Sequence, residues 1–218
     1  MHRTSPAALL FVLAFSSLSG TRAAQAQEPL GSAEREELDF MRRRGELSAA
    51  LRDLDGVLSD TPDDVPSRAL RARCRQDASD YSGALEDARA VLVAHAERMQ
   101  REGRLIARTP LPADCSHGTY FPPQAFEIRS IDQLSREVFG PVLHVVRFSA
   151  SQLAQVCDAI NATGYGLTLG VHSRIQETVD LVRAKTRVGN LYVNRNQIGA
   201  VVGAQPFGGQ GLSGTGPK

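Results

Sequence analysis

The sequence has few of the residues that hold small exported domains or zinc modules together. It contains three cysteines in 218 residues, an odd number without a Cys-x-x-Cys pair, which argues against both a disulfide framework and a zinc ribbon. It also lacks any dense block of lysine and arginine with interleaved aromatic residues, which is the electrostatic footprint of a nucleic-acid binder. We therefore expect neither a bound metal nor a nucleic-acid partner.

Apolar runs of membrane-spanning length are also missing. Ala7 to Leu18 forms an apolar stretch, but it is only about half of the roughly 20 residues that a membrane-spanning helix needs. His2 and Arg3 give it a weakly basic start, and Ala24-Gln25-Ala26 resembles a small-x-small cleavage site. Residues 1–26 therefore read as a secretory signal peptide, followed by a linker at 27–30, and predict export to the periplasm or beyond without a permanent membrane span.

The rest of the chain has the composition of a soluble folded protein. Hydrophobic residues make up 42% of it and the formal net charge is +1. Acidic residues outnumber basic ones from Glu28 to Glu97, whereas basic residues outnumber acidic ones from Met99 to Lys218. This asymmetry predicts two modules, a helical one at 31–98 and a second one at 99–218, and a mixed fold class.

The first module repeats itself at an offset of thirty-four residues, the period of tetratricopeptide repeats. The matched positions are Leu47, Ala50, Leu51, Asp53, Val57 and Leu58, which recur as Tyr81, Ala84, Leu85, Asp87, Val91 and Leu92. The segment resembles tetratricopeptide repeats and predicts all-α helical hairpins. Two such units need a partner or a cap, so the module is either a helical spacer or a groove for a protein or peptide partner.

After Met99 short strand patterns alternate with helical ones. The predicted strands are Arg104 to Ala107, Gln124 to Ile128, Val142 to Phe148, Leu167 to Ser173 and Gly189 to Asn194. The predicted helices are Ser151 to Ile160, with Leu153, Val156, Cys157 and Ile160 on one face, and Arg174 to Ala184, with Ile175, Val179 and Val182 on one face. This alternation predicts a parallel α/β layer.

Four ordered motifs in this module carry a family resemblance. They are EVFGPVLHVVRF from Glu137, NATGYGLTLGVHSR from Asn161, VGNLYVNRN from Val188, and IGAVVGAQPFGGQGLSGTGPK from Ile198. Together they resemble the C-terminal third of the catalytic domain of aldehyde dehydrogenases. Within that superfamily the segment is most similar to L-glutamate γ-semialdehyde (1-pyrroline-5-carboxylate) dehydrogenases, especially those of bifunctional proline-utilisation flavoproteins.

The resemblance implies a partial α/β dehydrogenase domain, NAD as cofactor and a small aldehyde as substrate. In the family the glutamate of EVFGP binds the nicotinamide ribose hydroxyls and the following phenylalanine packs against the nicotinamide, roles that carry over to Glu137 and Phe139. A carboxylate can accept two hydroxyl donors, and a flat ring can restrain a flat cofactor. Without the surrounding motif, Glu137 would read as a solvated acid at a helix end.

The resemblance also implies an aldehyde-anchor loop. Gly199 and Ala200 would hold the α-carboxylate of the substrate through backbone N–H groups, and Phe207 would line its aliphatic stem. Gln210 stands where this branch of the family has glutamate. The run from Gly209 to Gly214 also spells G-x-G-x-x-G, but it lacks the strand-loop-helix context of a dinucleotide site, so we expect no pyrophosphate binding there.

Aldehyde oxidation in this family needs a cysteine nucleophile, and none of the three cysteines fits that role. Cys74 lies in a repeat helix and Cys157 on an apolar helix face; Cys115 lies in a loop two residues before His117, a pairing that is mostly incidental. In the family the nucleophile and the dinucleotide-binding domain precede the matched region, and here the leader and the repeats occupy the residues before it. We therefore predict a chain that is inactive alone.

Two alternatives stay open at this point. The chain is either a fused piece of such a dehydrogenase or an exported interaction module with a passenger tail. The export signal conflicts with the cytoplasmic location of NAD and of proline catabolism. One hypothesis is a recombined junction between Ala96 and Gln100.

Overall fold

The computed structural model describes residues 30–135, 137–197 and 208–214, with the backbone of residues 13–14. The predicted signal peptide, except for that backbone, and the predicted linker up to residue 29 lie outside the described residues. The described chain forms two compact units. One comprises the described residues of Ala24–Arg101 and Arg108–Pro123, and the other those of Met1–Ala23, Glu102–Ala107 and Gln124–Lys218.

Four helices build the first unit: α1 (Ser32–Arg43), α2 (Leu47–Asp60), α3 (Val65–Asp77) and α4 (Tyr81–Glu102). The starts of α2 and α4 are separated by the predicted offset. Asp64 begins α3 as an N-cap, with its carboxylate accepting from the Ser67 N–H at 3.4 Å. The core comprises Leu38, Ala50, Leu54, Leu70 and Cys74. The predicted helical hairpins are therefore present as four successive helices.

The second copy of the sequence repeat does not bury the same positions as the first. Leu54 is fully buried, whereas Ala88, thirty-four residues later, is exposed. Asp53 is exposed, whereas its counterpart Asp87 is only 2% exposed. Leu85, the counterpart of half-buried Leu51, is 51% exposed. The tetratricopeptide resemblance therefore stays a prediction.

Helix α4 is continuous through the predicted junction at Ala96–Gln100. Ala96 and Met99 are both buried on this helix. The boundary predicted between residues 98 and 99 therefore falls inside a helix, with buried side chains on either side of it.

Eight strands and two further α-helices follow from the rest of the described residues. The strands are β1 (Leu13–Ala14), β2 (Arg104–Arg108), β3 (Gln124–Ile128), β4 (Val142–Val146), β5 (Tyr165–Gly166), β6 (Thr168–Val171), β7 (Asn190–Val193) and β8 (Gln210–Gly211); the helices are α5 (Leu153–Ala162) and α6 (Gln176–Lys185). Strands β3 and β4 pair in parallel from Gln124↔Val142, and β6 and β7 pair in parallel from Thr168↔Asn190. The parallel α/β layer is therefore confirmed.

The core of this unit packs α5 and α6 on one face of the β6–β7 pair. Its buried residues are Cys157, Ile160, Leu169, Val171, Val179 and Val182, with Leu153 and Val156 packed against them. The predicted apolar face of α5 is confirmed. The prediction for Ile175 is wrong, because this residue precedes α6 as its N-cap and is 60% exposed.

Within the described part of the chain, no helix combines the length and apolarity needed to cross a membrane.

Candidate functional site

Glu137 lies in the irregular segment that precedes β4, between a short 3-10 helix at Ile131–Gln133 and the first residue of the strand. Its side chain is half-buried, and its Oε1 atom is buried without a hydrogen-bond partner among the described residues. Burial raises the pKa of this carboxyl from its ordinary value of 4.5 to about 7. The reading of Glu137 as a solvated acid at a helix end is therefore wrong.

Tyr165 is electrostatically coupled to Glu137. Burial raises the pKa of the Tyr165 phenol, and the negative charge of Glu137 raises it further. Tyr165 is the first residue of β5, so the α/β unit brings a residue from the β5 region towards the segment before β4. Sequence reasoning missed this neighbour because nothing in the local pattern around Tyr165 refers to residue 137.

Phe139, the second predicted cofactor residue, presents its ring to solvent. It is 72% exposed, the largest value among the exposed large hydrophobic residues of the described chain. The exposed ring of Phe139 thus lies two residues along the chain from a carboxylate oxygen that is buried and without a partner among the described residues.

The predicted substrate residues Gly199, Ala200 and Phe207 lie outside the described residues, but both flanks of their loop are described. Before it, Gln197 lies against Gly170 of β6, where an added Cβ would be 3.1 Å from Gln197 Oε1. After it, Gly208 lies so close to Gly189 that a Cβ on Gly189 would overlap the Gly208 carbonyl oxygen. The loop therefore starts and ends beside the β6–β7 pair.

The glycine-rich run 208–214 packs on protein backbone. Gln210–Gly211 pairs antiparallel with Tyr165–Gly166. The Leu212 N–H donates to the Gly164 carbonyl at 2.8 Å, and the Gly166 N–H donates to Ser213 Oγ at 3.0 Å. These glycines thus serve close approach between segments of the chain.

The carboxyl ends of β6 and β7 carry two residues that sequence reasoning missed. Asn194 follows β7 in the left-handed region, with φ of 54°, and its carboxamide pairs with both backbone groups of Ser173. Arg195 stacks its guanidinium over the Tyr192 ring, with Cζ 4.9 Å from the ring centroid. An asparagine directly after a strand is the signal that could have indicated the turn, because asparagine tolerates left-handed backbone.

The three cysteines differ in accessibility. Cys74 and Cys157 are fully buried, and burial raises the pKa of both thiols, that of Cys74 to about 11. Cys115 is half-buried in a 3-10 helix at Ala113–His117. A buried thiol with a raised pKa is a poor nucleophile, because the thiolate is the reactive form.

The histidines do not form a metal site in the described ranges. His144 lies half-buried on β4 and His172 is exposed just after β6. No group of three or more histidine, cysteine, aspartate or glutamate side chains that could hold a metal ion occurs among the residues that the structure describes.

The helical unit carries an open groove of about 440 Å³ along α4. Ser82, Glu86, Arg89, Gly118 and Thr119 line it. A neighbouring groove of about 280 Å³ shares Arg89 and Gly118 and adds the more apolar residues Leu111, Pro112 and Tyr120. Both grooves are open and belong to the same compact unit.

A parallel α/β layer, a glycine-rich run packed beside it and a half-buried carboxylate before a strand together define a partial α/β domain. Comparison with known proteins identifies the family. The sequence profile of the aldehyde dehydrogenase family matches residues 79–218. The chain therefore belongs to the aldehyde dehydrogenase family, and the match begins at the start of α4, upstream of the predicted domain boundary.

Individual relatives are bifunctional proline-utilisation proteins and 1-pyrroline-5-carboxylate dehydrogenases. Bifunctional protein PutA of Rhizobium meliloti is 45% identical over 183 residues, which cover 80% of this chain and 15% of the relative. The crystal structure of a mutant of Bradyrhizobium japonicum proline utilization A is 44% identical with a TM-score of 0.57, covering 74% of this chain and 17% of that one. A crystal structure of a Thermus 1-pyrroline-5-carboxylate dehydrogenase with bound NAD is 37% identical, with a TM-score of 0.52. The match covers 59% of this chain and 25% of that one.

The matched region is thus a small part of each of these relatives, 15% of the Rhizobium protein and 17% of the Bradyrhizobium one.

Proposed function

We propose that this chain provides one wall of a site for the NAD-dependent oxidation of L-glutamate γ-semialdehyde to glutamate, a step of proline catabolism. The observation that carries the proposal is the buried, unpaired Oε1 of Glu137 within the family-matched region. An unpaired buried oxygen costs free energy unless a ligand satisfies it. A ribose hydroxyl of a dinucleotide is a donor of the required kind.

The described residues fit NAD in two respects. Glu137 in its ionised form would accept from the nicotinamide ribose hydroxyls, and the exposed ring of Phe139 would pack against the nicotinamide. When bound, NAD supplies the hydride acceptor of the reaction. Because the pKa of Glu137 lies near 7, the ionised form that accepts two donors becomes dominant only above neutral pH.

Substrate recognition is assigned to the loop between Gln197 and Gly208. Backbone N–H groups of Gly199 and Ala200 would hold the substrate carboxylate, and Phe207 would line the aliphatic stem. The close packing of both flanks against β6 and the start of β7 supports this assignment, since a receptor built from backbone donors needs fixed ends.

We further propose that the chain does not turn over alone. Formation of a thiohemiacetal requires a cysteine thiolate beside the aldehyde carbon. Cys74 and Cys157 are buried with raised pKa values, and Cys115 belongs to the helical unit rather than to the α/β unit. The nucleophile of the reaction would therefore come from another part of a dehydrogenase.

Two measurements on the purified full chain test this proposal. Calorimetric titration with NAD tests the cofactor assignment, and an assay for NADH formation from glutamate semialdehyde tests the predicted inactivity. We expect NAD binding that Glu137→Gln weakens by about tenfold, since charged acceptors contribute about 1.5–3 kcal/mol per hydrogen bond. Glu177→Gln removes an exposed carboxylate of the same unit and serves as the matched control. Absence of NAD binding contradicts the cofactor assignment, and NADH formation by the chain alone contradicts the predicted inactivity.

The groove along α4 favours a second candidate function, an exported interaction module in which the tetratricopeptide-like helices bind a peptide. Arg89 is exposed and lines both grooves, and Leu111 and Tyr120 of the second groove offer apolar contacts. Retention of peptides from a random display library by the full chain, lost on Arg89→Gln, would support this function. Equal retention by the variant would contradict it.

A further inference from the structure

The ends of β6 and β7 are joined by a single side chain. The Ser173 N–H donates to Asn194 Oδ1 at 2.9 Å, and Asn194 Nδ2 donates to the Ser173 carbonyl at 2.9 Å. Asn194 adopts φ of 54°, a left-handed conformation that asparagine tolerates better than most residues. This turn fixes the direction in which the chain leaves β7, and hence the position of the next residue.

Arg195 is the residue that the turn positions. Its guanidinium lies over the ring of Tyr192, with Cζ 4.9 Å from the centroid, and its Nε donates to the Asn196 carbonyl at 3.3 Å. Tyr192 is only 7% exposed, so the ring is a fixed platform. The stacking restrains an exposed cation by an interaction of about 0.5–1 kcal/mol, and within the described residues no hydrogen bond of its terminal nitrogens is found.

Arg195 makes no ion pair with any residue in the described ranges. The sequence contains no aspartate or glutamate after Asp180, whereas Arg183, Lys185 and Arg187 precede the strand. An exposed, oriented and unpaired guanidinium in a segment without acids is complementary to an anion.

The location agrees with a ligand site. In α/β sheets ligands bind outside the carboxyl ends of parallel strands, and Arg195 lies two residues beyond the carboxyl end of β7. The geometry points to Arg195 as a specificity-determining residue that pairs with the carboxylate of an acidic aldehyde substrate. This inference rests on the proposed function and deepens it, since it makes a side chain, and not only loop backbone, responsible for the preference for an acidic substrate.

Arginine suits this role better than lysine. Its planar guanidinium can pair with a carboxylate through two parallel N–H donors and can stack on an aromatic ring at the same time. A lysine would keep the positive charge, but it would offer neither two parallel N–H donors nor a planar group that stacks on the ring. The two residues should therefore differ in how well they recognise a carboxylate at this position.

Titration of the full-length chain with two ligands of nearly equal size tests the assignment. L-Glutamate is the acidic product, and isoglutamine replaces its α-carboxylate with a neutral carboxamide. We expect the wild-type chain to bind glutamate about tenfold more tightly than isoglutamine. Arg195→Gln should remove this difference by weakening glutamate binding alone, and Arg195→Lys should give an intermediate value.

Arg187→Gln is the matched control, because Arg187 is also exposed and precedes the same strand. Thermal unfolding of each variant checks that the fold is retained. Unchanged glutamate binding by Arg195→Gln overturns the role of Arg195 and leaves the proposed function standing. Absence of glutamate binding by the wild-type chain overturns the proposed substrate class and the role of Arg195 together, and NAD binding in the same samples then reports on the cofactor assignment separately.

Discussion

The carboxylate of Asp87 and the guanidinium of Arg71 form a bidentate ion pair. Nη2 of Arg71 lies 2.8 Å from Oδ1 of Asp87, and Nε lies 2.9 Å from Oδ2. Arg75 adds a third contact at 3.0 Å. This charged group joins α3 to α4, so the helix at which the family match begins is held by the helix before it.

Replacement of Asp87 by asparagine should destabilise the chain strongly. The carboxylate is 2% exposed and its loss leaves Arg71 and Arg75 without their buried counter-ion; breaking such a pair costs about 3–5 kcal/mol. Asp55→Asn is the control, because Asp55 pairs with the same Arg71 at 2.7 Å but is 56% exposed, and exposed pairs contribute about 0–1 kcal/mol. Urea unfolding of the full chain measures both. Similar losses for the two variants would contradict this account.

The raised pKa of Glu137 makes stability depend on pH with a defined sign. Because the folded pKa of about 7 lies above the ordinary value of 4.5, the folded state holds its proton where the unfolded state has lost it. The free energy of unfolding should therefore fall between pH 4.5 and 7. Glu137→Gln should lack this component and be more stable than the wild type at pH 8 by about 1–2 kcal/mol, a figure reduced for the solvent screening of a half-buried carboxyl. The measurement is the difference between the two unfolding curves at each pH, and a constant difference would contradict the assignment.

Phe139 should affect ligand binding without affecting stability. Its ring is 72% exposed, so truncation to alanine removes little buried area and should change the free energy of unfolding by less than about 0.5 kcal/mol. If the ring packs against the nicotinamide, Phe139→Ala should weaken NAD binding severalfold. Calorimetry and thermal unfolding on the same sample separate the two effects. Leu105→Ala, which truncates another exposed apolar side chain, should leave NAD binding unchanged.

Two glycine substitutions should act in opposite directions. A Cβ on Gly189 would overlap the carbonyl oxygen of Gly208, and backbone cannot yield easily, so Gly189→Ala should cost about 3 kcal/mol or more or prevent folding. Gly56 lies within α2 with no atom within 4 Å of an added Cβ, so Gly56→Ala should stabilise the chain by about 0.5–1 kcal/mol. Thermal unfolding measures both, and a neutral Gly189→Ala would show that the close approach is dispensable.

Only one thiol should react in the native chain. Cys74 and Cys157 are fully buried and their pKa values are raised, whereas Cys115 is half-buried. Ellman's reagent should modify one cysteine per chain at neutral pH and all three after unfolding. Cys115→Ser should abolish the native reaction. Rapid modification of a second thiol would show that the cores around Cys74 or Cys157 open readily.

Regular elements of this fold could be predicted from the sequence because their signals are local. The strand predicted at Gln124 to Ile128 has the observed bounds, and the apolar face of α5 is the predicted one. Ile175 could not be placed in the same way. Its spacing continues the α6 pattern, but it stands at the N-cap with extended backbone, where a side chain no longer follows the helical period.

The helical repeat also shows that sequence patterns do not predict which residues are buried. Asp53 and Asp87 occupy equivalent positions in the sequence, yet only Asp87 is buried among arginines. The difference comes from Arg68, Arg71 and Arg75 on α3, whose partners depend on how the helices pack. Offset comparison detects periodic residue types and carries no information on which copy faces a partner helix.

For the candidate site, motif similarity indicated Glu137 and Phe139, but not their environment. Tyr165, which is distant in the sequence, lies close enough to Glu137 for the charge of that carboxylate to raise the pKa of the Tyr165 phenol. Asn194 and Arg195 were missed because their roles depend on a turn and on a ring that only the folded strands bring together. Such features require tertiary structure.

The unbroken course of α4 has a practical consequence for anyone who wishes to dissect this polypeptide. A cut after Arg98, where charge and repeat pattern invite it, would strip the helix of its final turn and of Met99, a side chain with no exposed surface. Each of the two truncated chains would then contain only part of α4. Shorter versions intended for expression should therefore keep Tyr81 to Glu102 whole.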